Sequence, residues 1–407
     1  MSNYLRRISL RRLLLLCAAT VALGTAGTAV ALAVDTGPTP PAKPLASAIH
    51  AALTATAPSG VSARVELVDH LFEGSEIQSQ AEGGGAGNPL LSGGAGRLWI
   101  TAGHVRLELE SESGATELLW SEGTLTLYQA SSHTLYRYTP PTETGGGEAR
   151  AADGEGKSIP TVAAIQEELA RLMGHLAISG ATPTDVAGQP AYAATVAPKR
   201  DSGLFGDAEV AWDASNGAPL RFAIYAKGNA TPAIELTVTE VSFGAVPSSD
   251  FSLDLPSGLK ETTIEPSEHQ GTGHSAHGAG RPSVEATGLA AVQAAVPFQL
   301  QAPATLAGMQ RHEVRLIGAD GHSAALIGYG EGLGGIVVIE TAASGKRHEA
   351  ESSSGSAELP TKTIDGAKAT ELPTVLGTLL SFRSGGVEHV LAGSVTPSTI
   401  EAAARGL

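Results

Sequence analysis

Apolar and polar positions alternate most strictly in "GRLWITAGHVRLELE", residues 96 to 110. Val105, Leu107 and Leu109 point one way and His104, Arg106, Glu108 and Glu110 the other, the period of a strand with one wet and one apolar face. Similar strand-like runs are "SARVELVDHLF" (62–72), "TELLW" (116–120), "TLTLYQA" (124–130) and "TLYRY" (134–138). Short links such as "GHV" and "SEGT" suit hairpins, which predicts antiparallel neighbours. Strand patterning resumes in "PAYAATVAP", "AEVAWDA", "PLRFAIYAKG" and "AIELTVTEVSFG". Leu220, Phe222 and Ile224 share a face there, as do Ile234, Leu236 and Val238, and Asn216-Gly217 marks a hairpin turn.

Two segments switch to the helical period. In "PLASAIHAALTA", Leu45, Ile49 and Leu53 recur every four residues behind a proline, one apolar face of a short helix. Further on, Val162, Ile165, Leu169, Leu172 and Leu176 form a second amphipathic stripe. Gly-rich stretches at 74–96 and 140–157 read as loops, and 261–283 reads as a flexible linker by composition. A smaller module then runs from 284 to 407. It holds a helix-like "VEATGLAAVQAA", a hairpin-like "SAALIGYGEGLGGIVVIET", the run "GTLLSFRSGGVEHVLAGSV" and a last helix with Thr396 as N-cap and Pro397 as first residue. The pattern is that of an α+β protein of two units, with residues 45–260 as the first.

Residues 1–34 stand apart as a signal peptide or membrane anchor, followed by a Pro-rich spacer over 35–44. Arg6, Arg7, Arg11 and Arg12 precede an uncharged apolar run from Leu13 to Val34. Small residues at Ala29, Ala31 and Ala33 allow signal-type cleavage near Ala33, while the length of the run also suits a spanning helix with the arginines on the cytoplasmic side. Either way the bulk of the chain lies in the cell envelope, outside the cytoplasm. Cys17 is the single cysteine, so the exported part holds itself together without an internal disulfide. The 26 basic and 41 acidic residues, less those four arginines, leave a net charge near −19. Such a surface repels phosphate backbones and excludes nucleic acid as a partner.

Candidate chemistry is sparse. Gly330, Gly332 and Gly335 satisfy G-x-G-x-x-G, but a β-branched strand follows where a dinucleotide site needs a helix, so the glycines read as a hairpin turn. "GHSAHG" (273–278) lacks the strand and helix of a nucleophile elbow, and His269, His274 and His277 read as solvated linker residues. His50, His104, His133 and His175 have no partner at motif spacing. Asp201, Asp207 and Asp213 flank strands, where turn and capping roles are ordinary. With no carboxylate pair or triad, the chain reads as non-enzymatic, with no catalytic residue, metal or cofactor.

The stretch 45–260 resembles the LolA/LolB-type lipoprotein-carrier superfamily. The likeness rests on "PLASAIHAAL", on "GRLWI…VRLELE…LLWSEGTLTLYQASSHTLYRY", and on "VAGQPAYAATVAP…AEVAWDASNGAPLRFAIYAKG…AIELTVTEVSFGAVPSSDFSLDLPSG". The two-unit layout is similar to the RseB/MucB group of envelope regulators. The resemblance implies an incomplete antiparallel β-barrel whose concave apolar wall includes Val105, Leu107, Leu109, Leu125, Leu127, Leu220, Phe222, Ile224, Leu236 and Val238. It implies two lid helices carrying Ile49, Leu53, Ile165, Leu169 and Leu172. The partner it implies is the acyl chain of a lipid or lipoprotein or, on the regulator likeness, a membrane-bound protein such as an anti-sigma factor. From pattern alone, a one-sided sheet is ordinarily roofed by its own chain.

Overall fold

The computed structural model describes residues 37–72, 92–111, 114–139, 160–200, 203–264, 283–319, 322–343 and 360–407. The expectations for Leu13–Val34, Cys17, Asp201 and the histidines at 269, 274 and 277 lie outside these residues. No helix among the described residues is long and apolar enough to cross a membrane.

The first unit starts with helix α1 (Leu45–Thr54). A meander follows: β1 (Val61–Asp69), β2 (Gly94–Ile100), β3 (His104–Ser111), β4 (Gly114–Ser121), β5 (Thr124–Gln129) and β6 (Thr134–Tyr138). Helix α2 (Val162–Leu172) leads to β7 (Leu176–Ile178), β8 (Thr182–Val186), β9 (Gln189–Pro198), β10 (Phe205–Asp213), β11 (Pro219–Ala226), β12 (Pro232–Phe243) and β13 (Lys260–Ile264). The thirteen strands make one sheet in the order β13-β6-β5-β4-β3-β2-β1-β12-β11-β10-β9-β7, with β8 on β9. Two antiparallel wings thus meet where β1 pairs with β12. The end strands β13 and β7 are not neighbours, so the sheet stays open.

Several local rules explain these elements. Asp213 Oδ1 accepts the N–H groups of Ser215 and Asn216 at 2.8 and 2.9 Å, and Gly217 takes a positive φ of 73°, closing the β10–β11 turn. Thr161 caps α2 by accepting from the N–H of Ala164. Gly94 and Gly96, assigned to a loop by composition, belong to β2 instead. The backbone of β3 passes so close that a Cβ on Gly96 would sit 1.8 Å from the carbonyl oxygen of Glu108. The start of the stretch read as a linker is also a strand, since β13 pairs in parallel with β6.

The second unit has β14 (Ser283–Thr287), helix α3 (Leu289–Ala295), β15 (Thr305–Leu306), β16 (Met309–Ala319), β17 (His322–Tyr329) and β18 (Ile336–Ala342). It continues with β19 (Thr361–Ile364), β20 (Ala367–Thr374), β21 (Gly377–Ser384), β22 (Val387–Gly393) and helix α4 (Pro397–Ala404). The main path is β14-β16-β17-β18-β22-β21-β20-β19. "VEATGLAAVQAA" is not one helix: Gly288, at a φ of 91°, separates β14 from α3. Gly330, Gly332 and Gly335 do lie in the connection between two antiparallel strands, β17 and β18. The inner face of this sheet, with Leu316, Ile327, Val338, Leu380 and Leu391, is buried under Val292 of α3 and Ile400 and Ala403 of α4.

Candidate functional site

The register of the first wing stacks apolar side chains into two rows across five strands. Leu98, Leu107, Leu118, Leu127 and Tyr136 stand side by side in one row, and Ile100, Val105, Trp120, Leu125 and Tyr138 in the next. At the usual strand separation each row is about 19 Å wide. None of the ten is fully buried, and Trp120 is 36% exposed. The opposite face of the same strands is mixed: Tyr128 and Leu135 are buried there beside a cluster of charged side chains. Arg106 pairs there with Glu108 and with Glu117 (2.9 Å), donates to the carbonyl of Asp250 at 3.1 Å and stacks 5.2 Å from the Trp99 ring. Burial raises the Glu108 carboxyl above its ordinary value, the nearby arginine opposing it.

The expected wall residues therefore occupy three environments. Val105, Leu125 and Leu127 lie in the half-buried rows, and Leu107 joins them while also touching the closed core. Leu109, Leu220 and Val238 are buried in that core with Ala63 and Val65, and Leu236 packs against it. Val186 and Ala187, at the β8–β9 turn, fill the space over this part of the sheet. Ile224 and Phe222 belong to a third cluster with Phe205, Ala208, Ala233 and Ile234, completed by Val375 and Leu376 of the second unit.

The helices sit elsewhere than over these residues. Ile165 and Leu169 are buried against Ala46, Leu45, Ile49, Leu53, Val162 and Ile178, so α1 and α2 close chiefly on each other. Leu172 is half-buried at the end of α2. Nδ1 of His50 lies 3.0 Å from the carbonyl of Pro160, tying α1 to the approach to α2. The other side of α1 packs Ala48 on Tyr192, Trp212 and Ala181, and the Tyr192 hydroxyl donates to Pro41 at 2.7 Å. Neither cluster that holds buried wall residues includes a helical side chain among the described residues.

Six row members were missed as site residues, namely Leu98, Ile100, Leu118, Trp120, Tyr136 and Tyr138. Their signal was present: alternation plus short hairpin links of two to four residues narrows which residues face each other. Among the described residues no group of three or more His, Cys, Asp and Glu side chains converges on a site for a metal ion. The arrangement offers partly exposed apolar contact area on one face of the wing.

No protein-family model and no curated protein matches the sequence. Solved structures are similar to it at low identity. The MucA/MucB complex of Pseudomonas aeruginosa gives a match of 13% identity covering 88% of this chain and 94% of that one, at a TM-score of 0.36. A conserved protein of Thermus thermophilus gives 11% identity over 54% of this chain and 98% of that one, at 0.32. A LolA superfamily protein of Nitrosomonas europaea gives 10% identity over 52% and 99%, at 0.21. The likeness is to MucB and LolA-type structures.

Proposed function

We propose that this chain is an exported, membrane-tethered or secreted binding protein that takes the acyl chain of a lipid or lipoprotein along the two apolar rows of β2–β6. The observation that carries the reading is the incomplete burial of ten aligned apolar side chains on one face of an open sheet. Covering each methylene there contributes about 0.8 kcal/mol, so a chain of ordinary length gains enough to offset the cost of being held. The arginine-flanked apolar run before the first helix supports placement in the envelope.

The test is titration of delipidated protein with a fluorescent fatty acid, alongside native mass spectrometry for lipid that copurifies. Saturable uptake is expected, and Leu118→Asp, which puts a charge in the centre of one row, abolishes it. Absence of saturable uptake by the unaltered chain overturns the reading.

A further inference from the structure

Two-residue hairpin turns favour Asn, Asp and Gly, because the backbone must twist and the side chains face water. The turn between β20 and β21 is Val375-Leu376. Thr374 supplies what the turn residues do not: its Oγ1 accepts from the N–H groups of Leu376 at 3.2 Å and Gly377 at 3.1 Å. The two apolar side chains are thereby free to leave their own unit. They pack on Phe205, Phe222, Ile224 and Ile234 of the first sheet, and Leu376 is only 7% exposed.

We propose that the Val375–Leu376 tip is a displaceable plug, filling an apolar seat that an acyl chain would otherwise enter, so that docking of the second unit and occupation of the seat exclude each other. This deepens the binding reading above and rests on its premise that the first sheet takes an acyl chain, not on the rows of β2–β6 being the place. The seat belongs to the same face as the expected wall, because Ile224 pairs with Ile234 and Phe222 with Leu236.

Two backbone hydrogen bonds between the units accompany the plug among the described residues. Val375 N–H donates to the carbonyl of Leu71 at 2.9 Å, and Leu204 N–H to the carbonyl of Ser394 at 3.0 Å. The Ser394 hydroxyl donates to the carbonyl of Leu376 at 2.7 Å, coupling the two contact points. Gly203 closes the joint: at a φ of 64° its missing Cβ would lie 1.6 Å from the Ser394 carbonyl oxygen. None of these bonds belongs to a strand ladder, so the joint opens without unpairing either sheet.

The experiment compares full-length protein with Leu376→Ser, Gly203→Val and Leu118→Asp in the fluorescent fatty-acid titration, with hydrogen exchange as a second readout. Emptying the seat should tighten uptake about tenfold in Leu376→Ser. Gly203→Val pushes the units apart without touching the seat and should shift uptake in the same direction. Exchange at the Leu204 and Val375 amides should speed up in both variants while that of β1 and β22 stays unchanged. Uptake by Leu376→Ser but not by the unaltered chain supports the plug and overturns the open-row reading. Unaltered or weaker uptake by both joint variants, with the native chain still binding and Leu118→Asp not, overturns the plug and leaves the rows as the site. No uptake by any form overturns both.

Discussion

The sheet of the second unit and the β2–β6 wing of the first share one sequence pattern and meet opposite fates. Both alternate apolar and polar residues, and both are antiparallel meanders in part. In the second unit Ile327, Val338, Leu380 and Leu391 are wholly buried, with α3 and α4 contributing to the same cluster. In the wing Leu118, Leu127, Val105 and Leu125 keep partial exposure, and the two helices that sequence would assign to them pack chiefly on one another. Alternation therefore specifies a face, whereas cover depends on where the connections travel. The core of the second unit is closed by its own helices, while the wing retains partly exposed apolar surface.

The largest effect that should sharpen this contrast comes from the buried polar pair of the second unit. Glu340 is 0% exposed and His389 2%; Nδ1 of His389 lies 3.3 Å from Oε1 of Glu340, and Phe382 stacks on the His389 ring at 4.7 Å. The other carboxyl oxygen of Glu340 accepts the N–H of Gln301 at 2.9 Å. Glu340→Ala leaves the Gln301 amide unsatisfied and a cavity beside the His389 ring in an apolar interior, and should destabilise the second unit by about 3–5 kcal/mol in urea unfolding. A loss below about 1 kcal/mol would mean that this core is wetter than its burial implies.

Next in size is a matched pair of truncations. Leu391→Ala leaves a cavity under the helices and should cost about 2–5 kcal/mol. Leu118→Ala, in a half-buried row, should cost less than about 1 kcal/mol while weakening fatty-acid uptake. Equal losses at the two positions, measured by denaturant titration of each variant, would erase the distinction between core and wall.

Much of the first sheet is legible from alternation and turn chemistry, as the Asn216-Gly217 turn and the β3–β4–β5 meander illustrate. The parallel return of β13 beside β6 is not, because it depends on a long connection rather than on local pattern. Gly94 and Gly96 mislead for a physical reason: a glycine demanded by close strand approach looks in sequence like a glycine in a loop. The candidate site divides similarly. Val105, Leu107, Leu125 and Leu127 follow from the period, and Leu98 and Leu118 follow once register is applied. Nothing local tells Ile224 that Leu376, some 150 residues later in the chain, will cover it. The only trace is an apolar pair at a turn that chemistry would make polar.

The smallest effect lies beside that covered end of the first sheet. Asp207 is half-buried on β10, two residues from Phe205, and desolvation together with the like charge of Glu209 pushes its carboxyl up to about 6. A folded-state value above the unfolded 3.8 means that the native chain holds the proton more tightly, so stability falls as pH rises between the two values. The full shift corresponds to about 3 kcal/mol, and solvent screening of a half-exposed group reduces it to about 1 kcal/mol. Asp207→Asn removes the charge and should raise stability at about pH 7 by that amount, with no gain at about pH 3.5, where the carboxyl is largely protonated in both states. Thermal unfolding across this range checks the sign. If the variant gains nothing at neutral pH, Asp207 is better solvated than its place in β10 suggests, and the covered end of the sheet is closer in character to the open rows than to the core of the second unit.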